Sequence, residues 1–179
     1  MSHFPSLFTV LSCLSLVACG AEDKDVGSDS SEHDHSAIQP QVGDWTVVAA
    51  GWTDDDCNAT NNLTAPTSLT VANVEASTFS VTIYDGETRI GEGNSTCTHD
   101  ADDVYICEEM TNSFSYTDID ASVSMAGVFS ASMNTETTMT ISGTLVLECT
   151  GSDCNFVEDG TNTGSLPCNT TLNISAEAN

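Results

Sequence analysis

Basic residues are nearly absent from this chain. Only Lys24 and Arg89 stand against 27 acidic side chains in 179 residues, and the formal net charge is −25. Proteins bind nucleic acids and anionic lipid headgroups through Lys and Arg side chains that neutralise phosphate. We therefore expect no nucleic-acid partner, and we expect an acidic surface that keeps the chain soluble and attracts cations.

Long hydrophobic runs are also missing, apart from residues 4–18, FPSLFTVLSCLSLVA. A run of this length is typical of the apolar part of a signal peptide and is too short for a membrane-spanning helix. It leads into Leu16-Val17-Ala18-Cys19. This tetrapeptide resembles the lipobox of bacterial lipoproteins, in which the signal is cut before the cysteine and the cysteine sulfur receives a diacylglyceryl group.

The resemblance implies that residues 1–18 are a lipoprotein signal peptide and that Cys19 is the lipidation site. Gly20 follows the cysteine. In lipoproteins of Gram-negative bacteria an Asp at this position favours the inner membrane, so the resemblance implies the outer membrane or the cell surface. Two or more acyl chains anchor a protein stably, whereas one chain binds only marginally. An ordinary secretory signal is the alternative.

Residues 19–41 form the next segment. They show no apolar periodicity and carry six acidic side chains. Such a composition predicts a flexible, solvated tether, because it offers too little apolar surface to pay for ordering the backbone. We therefore divide the chain into a signal peptide at 1–18, an acidic tether at 19–41 and a folded domain at 42–179.

Alternation with a period of two dominates the folded domain. In residues 121–133, ASVSMAGVFSASM, the odd positions are apolar or Gly, and Ser fills most even positions. Residues 137–149, TTMTISGTLVLEC, repeat this pattern. Alternation of this length predicts two long strands, each with one apolar face, joined by a turn near residues 134–136.

Six shorter strands complete the pattern, and Asp85-Gly86 is a strong hairpin signal between two of them. They are predicted at 45–52, 68–74, 78–84, 88–97, 104–116 and 168–176. Eight antiparallel strands in meander order must close into a barrel or pack as a sandwich. Gly127 and Gly143 lie inside strands, where a curved barrel bends. We predict an all-β, up-and-down barrel stapled by disulfides, with a β-sandwich as the alternative.

Gly43-Asp44-Trp45 begins the first predicted strand. It resembles the G-x-W signature of lipocalins and related calycin barrels, and the resemblance implies a lipocalin-like barrel. A barrel of about eight strands either fills itself with side chains or holds one small ligand. We expect a small apolar ligand in the interior, and the candidate binding residues are Val123, Met125, Phe129, Met139, Ile141 and Leu145.

Six cysteines remain once Cys13 leaves with the signal and Cys19 carries lipid. An even number in an exported chain predicts three disulfides, whereas the spacings do not suit a zinc site. Cys97 and Cys107 flank one turn in phases opposite to their apolar neighbours, so we expect them to pair on the outer face of a hairpin. The other four should meet at the opposite rim, preferably as Cys57–Cys168 with Cys149–Cys154, or as Cys149–Cys168 with Cys57–Cys154.

Catalytic motifs are missing from residues 42–179. This part has one histidine, His99, one arginine, Arg89, and no lysine. It contains no G-x-S-x-G, no H-E-x-x-H and no glycine-rich phosphate loop. We therefore predict a protein that is not an enzyme. A hydrolase that uses paired carboxylates is the remaining catalytic alternative.

Acidic residues cluster in two predicted turns, where carboxylate oxygens would suit Ca²⁺. Neither cluster follows the EF-hand spacing, and local Asx turns are the other use of such residues. The candidate metal ligands are Asp54, Asp55, Asp56, Asp100, Asp102 and Asp103. Two functions thus remain: a barrel that holds a small apolar ligand, or a structural or interaction protein with calcium-binding acidic loops.

Overall fold

The computed structural model of the chain describes residues 37–161 and 163–179. The predicted signal peptide, Cys19 and residues 19–36 of the tether lie outside this part. None of the helices found here is long and apolar enough to cross a membrane. The elements are β1 (Gly43–Thr53), α1 (Ala59–Asn62), β2 (Ser68–Glu75), β3 (Thr78–Asp85), β4 (Thr88–Ala101), β5 (Val104–Cys107), β6 (Met110–Ser115), β7 (Ser122–Thr135), β8 (Thr138–Thr150), α2 (Cys154–Thr161) and β9 (Cys168–Ala178).

The strands form one antiparallel sheet that closes on itself. Its order runs from β5 through β4, β3, β2 and β1 to β9, β8 and β7, and a further pairing of β5 with β7 completes a barrel of eight strands. β1 pairs with β9, so the first strand of the barrel is bonded to the last. The prediction of an all-β barrel in meander order is confirmed, and the sandwich alternative is wrong.

β6 continues the line of β5 along the same partner strand. Ile106 of β5 faces Ser130 of β7, and Met110 of β6 faces Gly127. The chain therefore advances four residues on one side while β7 advances three, which is a β-bulge at Glu108 and Glu109. β5 and β6 together correspond to the single strand that was predicted at 104–116.

The two ends of the barrel differ in their covering. The lower end, as we call it, is where β1 begins, and its strands are joined by turns at 76–77, 102–103 and 136–137. The upper end is where β1 finishes, and it carries two longer connections: residues 54–67, which include α1, and residues 151–167, which include α2. Short turns leave little over the lower end, so another segment must cover it.

Residues 37–41 provide that cover. The backbone N–H of Ile38 donates to Asp103 Oδ1 at 2.7 Å, and the hydroxyl of Tyr105 donates to the Ile38 carbonyl at 2.9 Å. Trp45 is fully buried, and its indole Nε1 donates to the Gln41 carbonyl at 3.0 Å. Residues 37–41 were assigned to the tether from their sequence, but they pack on the barrel.

Three disulfides staple the structure, and they are the pairs preferred from the sequence: Cys57–Cys168, Cys97–Cys107 and Cys149–Cys154. The bond between Cys57 and Cys168 joins residues 111 apart. Closing a loop of that length lowers the conformational entropy of the unfolded chain. In the chain-entropy model this stabilises the folded state by about 4–5 kcal/mol. This bond ties the connection after β1 to the start of β9.

The outward orientation expected for Cys97 and Cys107 is wrong. Both cysteines are buried in the main core cluster. On β5 the side chain of Tyr105 is 1% exposed whereas Ile106 is 44% exposed. Tyr105 and Cys107 therefore point into the barrel, and Ile106 points outward although its side chain is apolar.

An insertion in β4 explains the phase of Cys97. Ile83 of β3 faces Ile90, but Val81 faces Ser95, so β4 advances five residues while β3 advances two. The inserted residues include Gly91 and Gly93, at φ values of 86° and 83°, a region that glycine enters without steric cost. An odd number of extra residues moves every later side chain to the other face. Counting alternate residues from Ile90 therefore gives the wrong orientation for Cys97, which lies beyond the bulge.

Gly127 and Gly143 make room for one aromatic ring. Gly143 lies directly across from Phe129 in the ladder between β7 and β8. A Cβ added to Gly143 would lie 2.5 Å from the Val128 carbonyl oxygen and 2.8 Å from Cγ of Phe129, and one added to Gly127 would lie 3.2 Å from Phe129 Cε2. The ring of Phe129, only 3% exposed, thus occupies space that both glycines leave free.

We predict that Gly143→Ala destabilises the domain by about 1–3 kcal/mol, because overpacking forces the ring or the neighbouring backbone to move. Gly51→Ala in β1 is the matched control, since a Cβ at this strand glycine meets nothing within 4 Å. Urea unfolding followed by circular dichroism would measure both changes. Equal stability of the Gly143→Ala variant and the wild type would contradict the packing described here.

Candidate functional site: an apolar cavity in the upper half of the barrel

A cavity of about 130 Å³ lies in the upper half of the barrel. Strands β1, β3, β4, β6, β7, β8 and β9 supply its walls, and residues 63–66 lie over it. Its lining is apolar except for two threonine side chains. The wall residues are Trp52, Ile83, Ile90, Gly91, Met110, Thr111, Met125, Phe129, Leu145 and Leu172, and the residues above them are Leu63, Thr64 and Pro66.

The six candidate ligand-binding residues divide into three groups. Met125, Phe129 and Leu145 line the cavity. Met139 and Ile141 are almost fully buried in the main core and are not part of the lining. Val123 belongs to a separate small cluster with Ala121 and Val157.

Several lining residues were missed from the sequence. Ile83 and Leu172 lie on predicted strands in the inward phase, so the period-two pattern gives their orientation but not their place at the cavity. Leu63 and Pro66 carried no such signal. They belong to an irregular connection, and only its path over the barrel brings them to the cavity.

The barrel wall has a seam between β4 and β6. β4 pairs with β5 only from Cys97 to Ala101, and among the described strands no ladder joins β4 to β6. The two strands approach closely at Gly91, where an added Cβ would reach van der Waals contact with the Thr111 carbonyl oxygen at 3.6 Å. Ile90, Gly91 and Thr111 all line the cavity. A small molecule can therefore approach this side of the cavity without breaking a hydrogen-bonded ladder.

Residues 54–67, which we call the lid, are held at their first half. The carboxylate of Asp55 accepts hydrogen bonds from the backbone N–H groups of Ala59 at 2.6 Å and Thr60 at 2.9 Å, and from the Thr60 hydroxyl at 2.8 Å. The backbone N–H of Asp56 donates to the Asn169 carbonyl at 3.0 Å, and Cys57 is bonded to Cys168. These contacts fix the lid to the start of β9.

The ionised form of Asp55 is favoured by these contacts. Partial burial raises the pKa of this carboxyl, but the hydrogen bonds from Thr60 and Ala59 outweigh the burial and hold the pKa below its ordinary value. Asp55 therefore serves as a cap for the short helix α1, since its oxygens satisfy N–H groups that have no partner within a single turn.

The six candidate calcium ligands do not converge. Asp54, Asp55 and Asp56 lie in the lid at the upper end, whereas Asp100, Asp102 and Asp103 lie in or beside the β4–β5 turn at the lower end. No group of three or more His, Cys, Asp or Glu side chains in the described part is arranged to hold a metal ion.

Asp102 and Asp103 have a local structural role. Ala101 faces Val104, so these two aspartates form a two-residue hairpin turn, with φ values of 49° and 62°. Positive φ at both positions is typical of a type I′ turn, which Asp and Asn tolerate better than most residues. Asp103 also accepts the hydrogen bond from Ile38 that closes the lower end.

His99, the one histidine in residues 42–179, packs against the ring of Tyr105. Its ring centroid lies 5.3 Å from that of Tyr105, in an edge-on arrangement. Burial raises the pKa of Tyr105, and the negative charge of Asp103 raises it further. The Tyr105 hydroxyl therefore keeps its proton and donates a hydrogen bond to the Ile38 carbonyl. Both rings thus belong to the packing of the lower end.

Comparison with known proteins finds no matching family model, no matching curated protein and no matching solved structure. A function for the chain is therefore inferred from its own residues and geometry.

We predict that Asp55→Asn lowers the free energy of unfolding by about 1 kcal/mol at neutral pH, because an amide accepts the two backbone N–H groups less well than a carboxylate. Since the pKa of Asp55 is lower in the folded state, its contribution is present above the unfolded pKa. It is lost as the pH falls through the folded value.

The measurement is urea unfolding of wild type and variant at neutral pH and at a series of pH values below about 4. Asp54→Asn is the matched control: Asp54 lies next to Asp55, is exposed, and has a φ of 47° that Asn also adopts. A difference between Asp55→Asn and wild type that stays constant down to the lowest pH would contradict the capping role.

Proposed function

We propose that this chain is an exported, lipid-anchored protein whose β-barrel domain binds a small apolar ligand and carries out no catalysis. The lipobox-like Leu16-Val17-Ala18-Cys19 supports the anchor. The observation that carries the binding function is the apolar cavity of about 130 Å³ inside the barrel. By resemblance to bacterial lipoproteins, the outer membrane or the cell surface is the proposed location.

An apolar cavity of this size favours a ligand over water. A water molecule needs two to four polar partners, and an engineered cavity of about 150 Å³ with apolar walls stays dry and binds benzene. The wall atoms of an empty cavity have no contacting atoms on one side. An apolar ligand in the cavity supplies these dispersion contacts, which favours binding. Binding by burial of apolar surface also requires no charged side chain, which suits this lining.

The position of the lower-end cover supports the anchored arrangement. Residues 37–41 lie across the lower end, and residues 19–36 of the predicted tether precede them in the sequence. The cavity lies in the upper half of the barrel, beneath the lid. The described part of the chain therefore begins at the end of the barrel opposite the binding site, which suits an anchor that lies earlier in the sequence.

We predict that Cys19→Ala abolishes the incorporation of labelled palmitate when the full chain is produced in a Gram-negative host. The physical reason is that the thiol of this residue is the proposed attachment point of the diacylglyceryl group. Cys13→Ala is the matched control and should retain the label, because Cys13 lies in the proposed signal peptide. Labelling that persists in Cys19→Ala would overturn the proposed anchor.

For the binding site, we predict that at least one of toluene, naphthalene and decanol binds to the cavity. The chain supplies internal reporters, since Met110 and Met125 line the cavity whereas Met133 and Met139 are buried elsewhere. Methyl-¹³C methionine spectra of the full chain in lipid nanodiscs should show shifts of the first two signals only. This selectivity separates binding in the cavity from partitioning into lipid.

Two substitutions test whether the cavity is the site. Leu63→Trp adds volume from the lid and should weaken binding about tenfold or more, by the cost of overpacking. Val48→Trp is the control, because Val48 is 55% exposed on the outer surface of β1. The binding function is wrong if none of the three probes shifts the Met110 and Met125 signals, or if Leu63→Trp binds as well as wild type.

A further inference from the structure

We propose that the cavity selects a neutral molecule, or a neutral group, of the size of one six-membered ring, and that it rejects fused rings and charged analogues. This selectivity rests on the binding function proposed above. It follows from three properties of the site: its volume, the rigidity of its floor and the absence of any ionisable side chain in its lining.

The volume sets the upper limit of size. At about 130 Å³ the cavity is slightly smaller than the engineered cavity of about 150 Å³ that accepts benzene. A second fused ring would need space that the site does not have. Protein interiors are packed as densely as organic crystals, so added volume must be created by moving wall atoms.

The floor of the cavity cannot move down to create that space. Phe129 forms part of the floor, and its ring packs against Gly143, where even one added methyl group would have no room. Below it the lower half of the barrel is filled by buried side chains such as Met139 and Ile141. A longer ligand therefore finds no continuation of the cavity along the barrel axis.

The side wall restricts extension as well. The seam between β4 and β6 is the one side of the cavity without a ladder in the described part. At Gly91 the gap between the two strands is about one carbon wide, since an added Cβ would already reach van der Waals contact with the Met110 Cβ at 3.7 Å. The seam thus serves as a point of approach for a flat ring and does not provide a second compartment for a larger one.

The chemistry of the lining excludes ions. The polar side-chain groups of the lining residues are the hydroxyls of Thr64 and Thr111 and the indole N–H of Trp52, and none of them carries a charge. A buried charge without a partner is strongly unfavourable. Arg89 is the one basic residue of the domain, and its Nη2 donates to Asn94 Oδ1 at 2.8 Å without joining the lining, so an anionic ligand has no cation to pair with.

The experiment compares four aromatic probes. Three of them differ from toluene by one property each: a second fused ring, a negative charge or a positive charge. Toluene is the neutral single ring, naphthalene the fused pair, benzoate the anion and benzylammonium the cation. Each is titrated into the full chain in nanodiscs, and the methyl-¹³C signals of Met110 and Met125 are followed against those of Met133 and Met139. We expect toluene to shift the first pair, naphthalene to bind about 10- to 100-fold more weakly, and either ion at least about 100-fold more weakly.

A variant tests the size limit from the opposite direction. Ile90→Ala removes three carbons from the half-buried seam side of the lining and should raise the affinity for naphthalene relative to toluene. Val48→Trp should leave both affinities as in wild type. Circular dichroism confirms that each variant is folded before its spectra are compared.

The possible results separate the selectivity from the binding function itself. Naphthalene, benzoate or benzylammonium that shifts Met110 and Met125 as strongly as toluene would overturn the selectivity and leave the binding function in place. The same is true if Ile90→Ala does not change the preference between the two neutral probes. Absence of any cavity shift with all four probes would overturn the selectivity, and the binding function would fall with it only if decanol also leaves the Met110 and Met125 signals unchanged.

Discussion

The ladder between β5 and β7 turns a curved sheet into a closed barrel, and the other features depend on this closure. An open sheet of this size would expose one apolar face and two unpaired edges. Closure directs every inward side chain into one interior whose width depends on the number of strands. Inside it the ring of Phe129 packs against Gly143, where an added Cβ would lie 2.8 Å from its Cγ, and Gly127 leaves room for both Phe129 and Leu145.

The interior is used unequally along the barrel axis. The lower half is filled by side chains and covered by residues 37–41, which are held through Asp103, Tyr105 and Trp45. The upper half lies beneath a lid that is fixed by Asp55 and the Cys57–Cys168 bond, and there the side chains do not fill the space. A filled half supplies stability, and the other half retains room for an occupant.

Much of the fold could be predicted from local pattern. The long alternation in β7 and β8 requires a strand with one buried face, and a meander of such strands makes neighbours in sequence neighbours in space. The prediction of which side chains point inward was wrong where the ladder between two strands is irregular. The insertion at Gly91 and Gly93 reversed the orientation of Cys97, and nothing in the period-two pattern indicates how many residues a bulge contains.

The sequence by itself determined the acidic character, the strand pattern and the even set of six cysteines within residues 42–179, because these depend on composition and on short-range periodicity. Tertiary structure alone decided which inward residues meet at a cavity. Met125 and Met139 share a phase on adjacent strands, yet only Met125 lines the empty space. A cavity is the difference between the volume that a closed sheet encloses and the volume of its side chains, and both terms exist only once the barrel has closed.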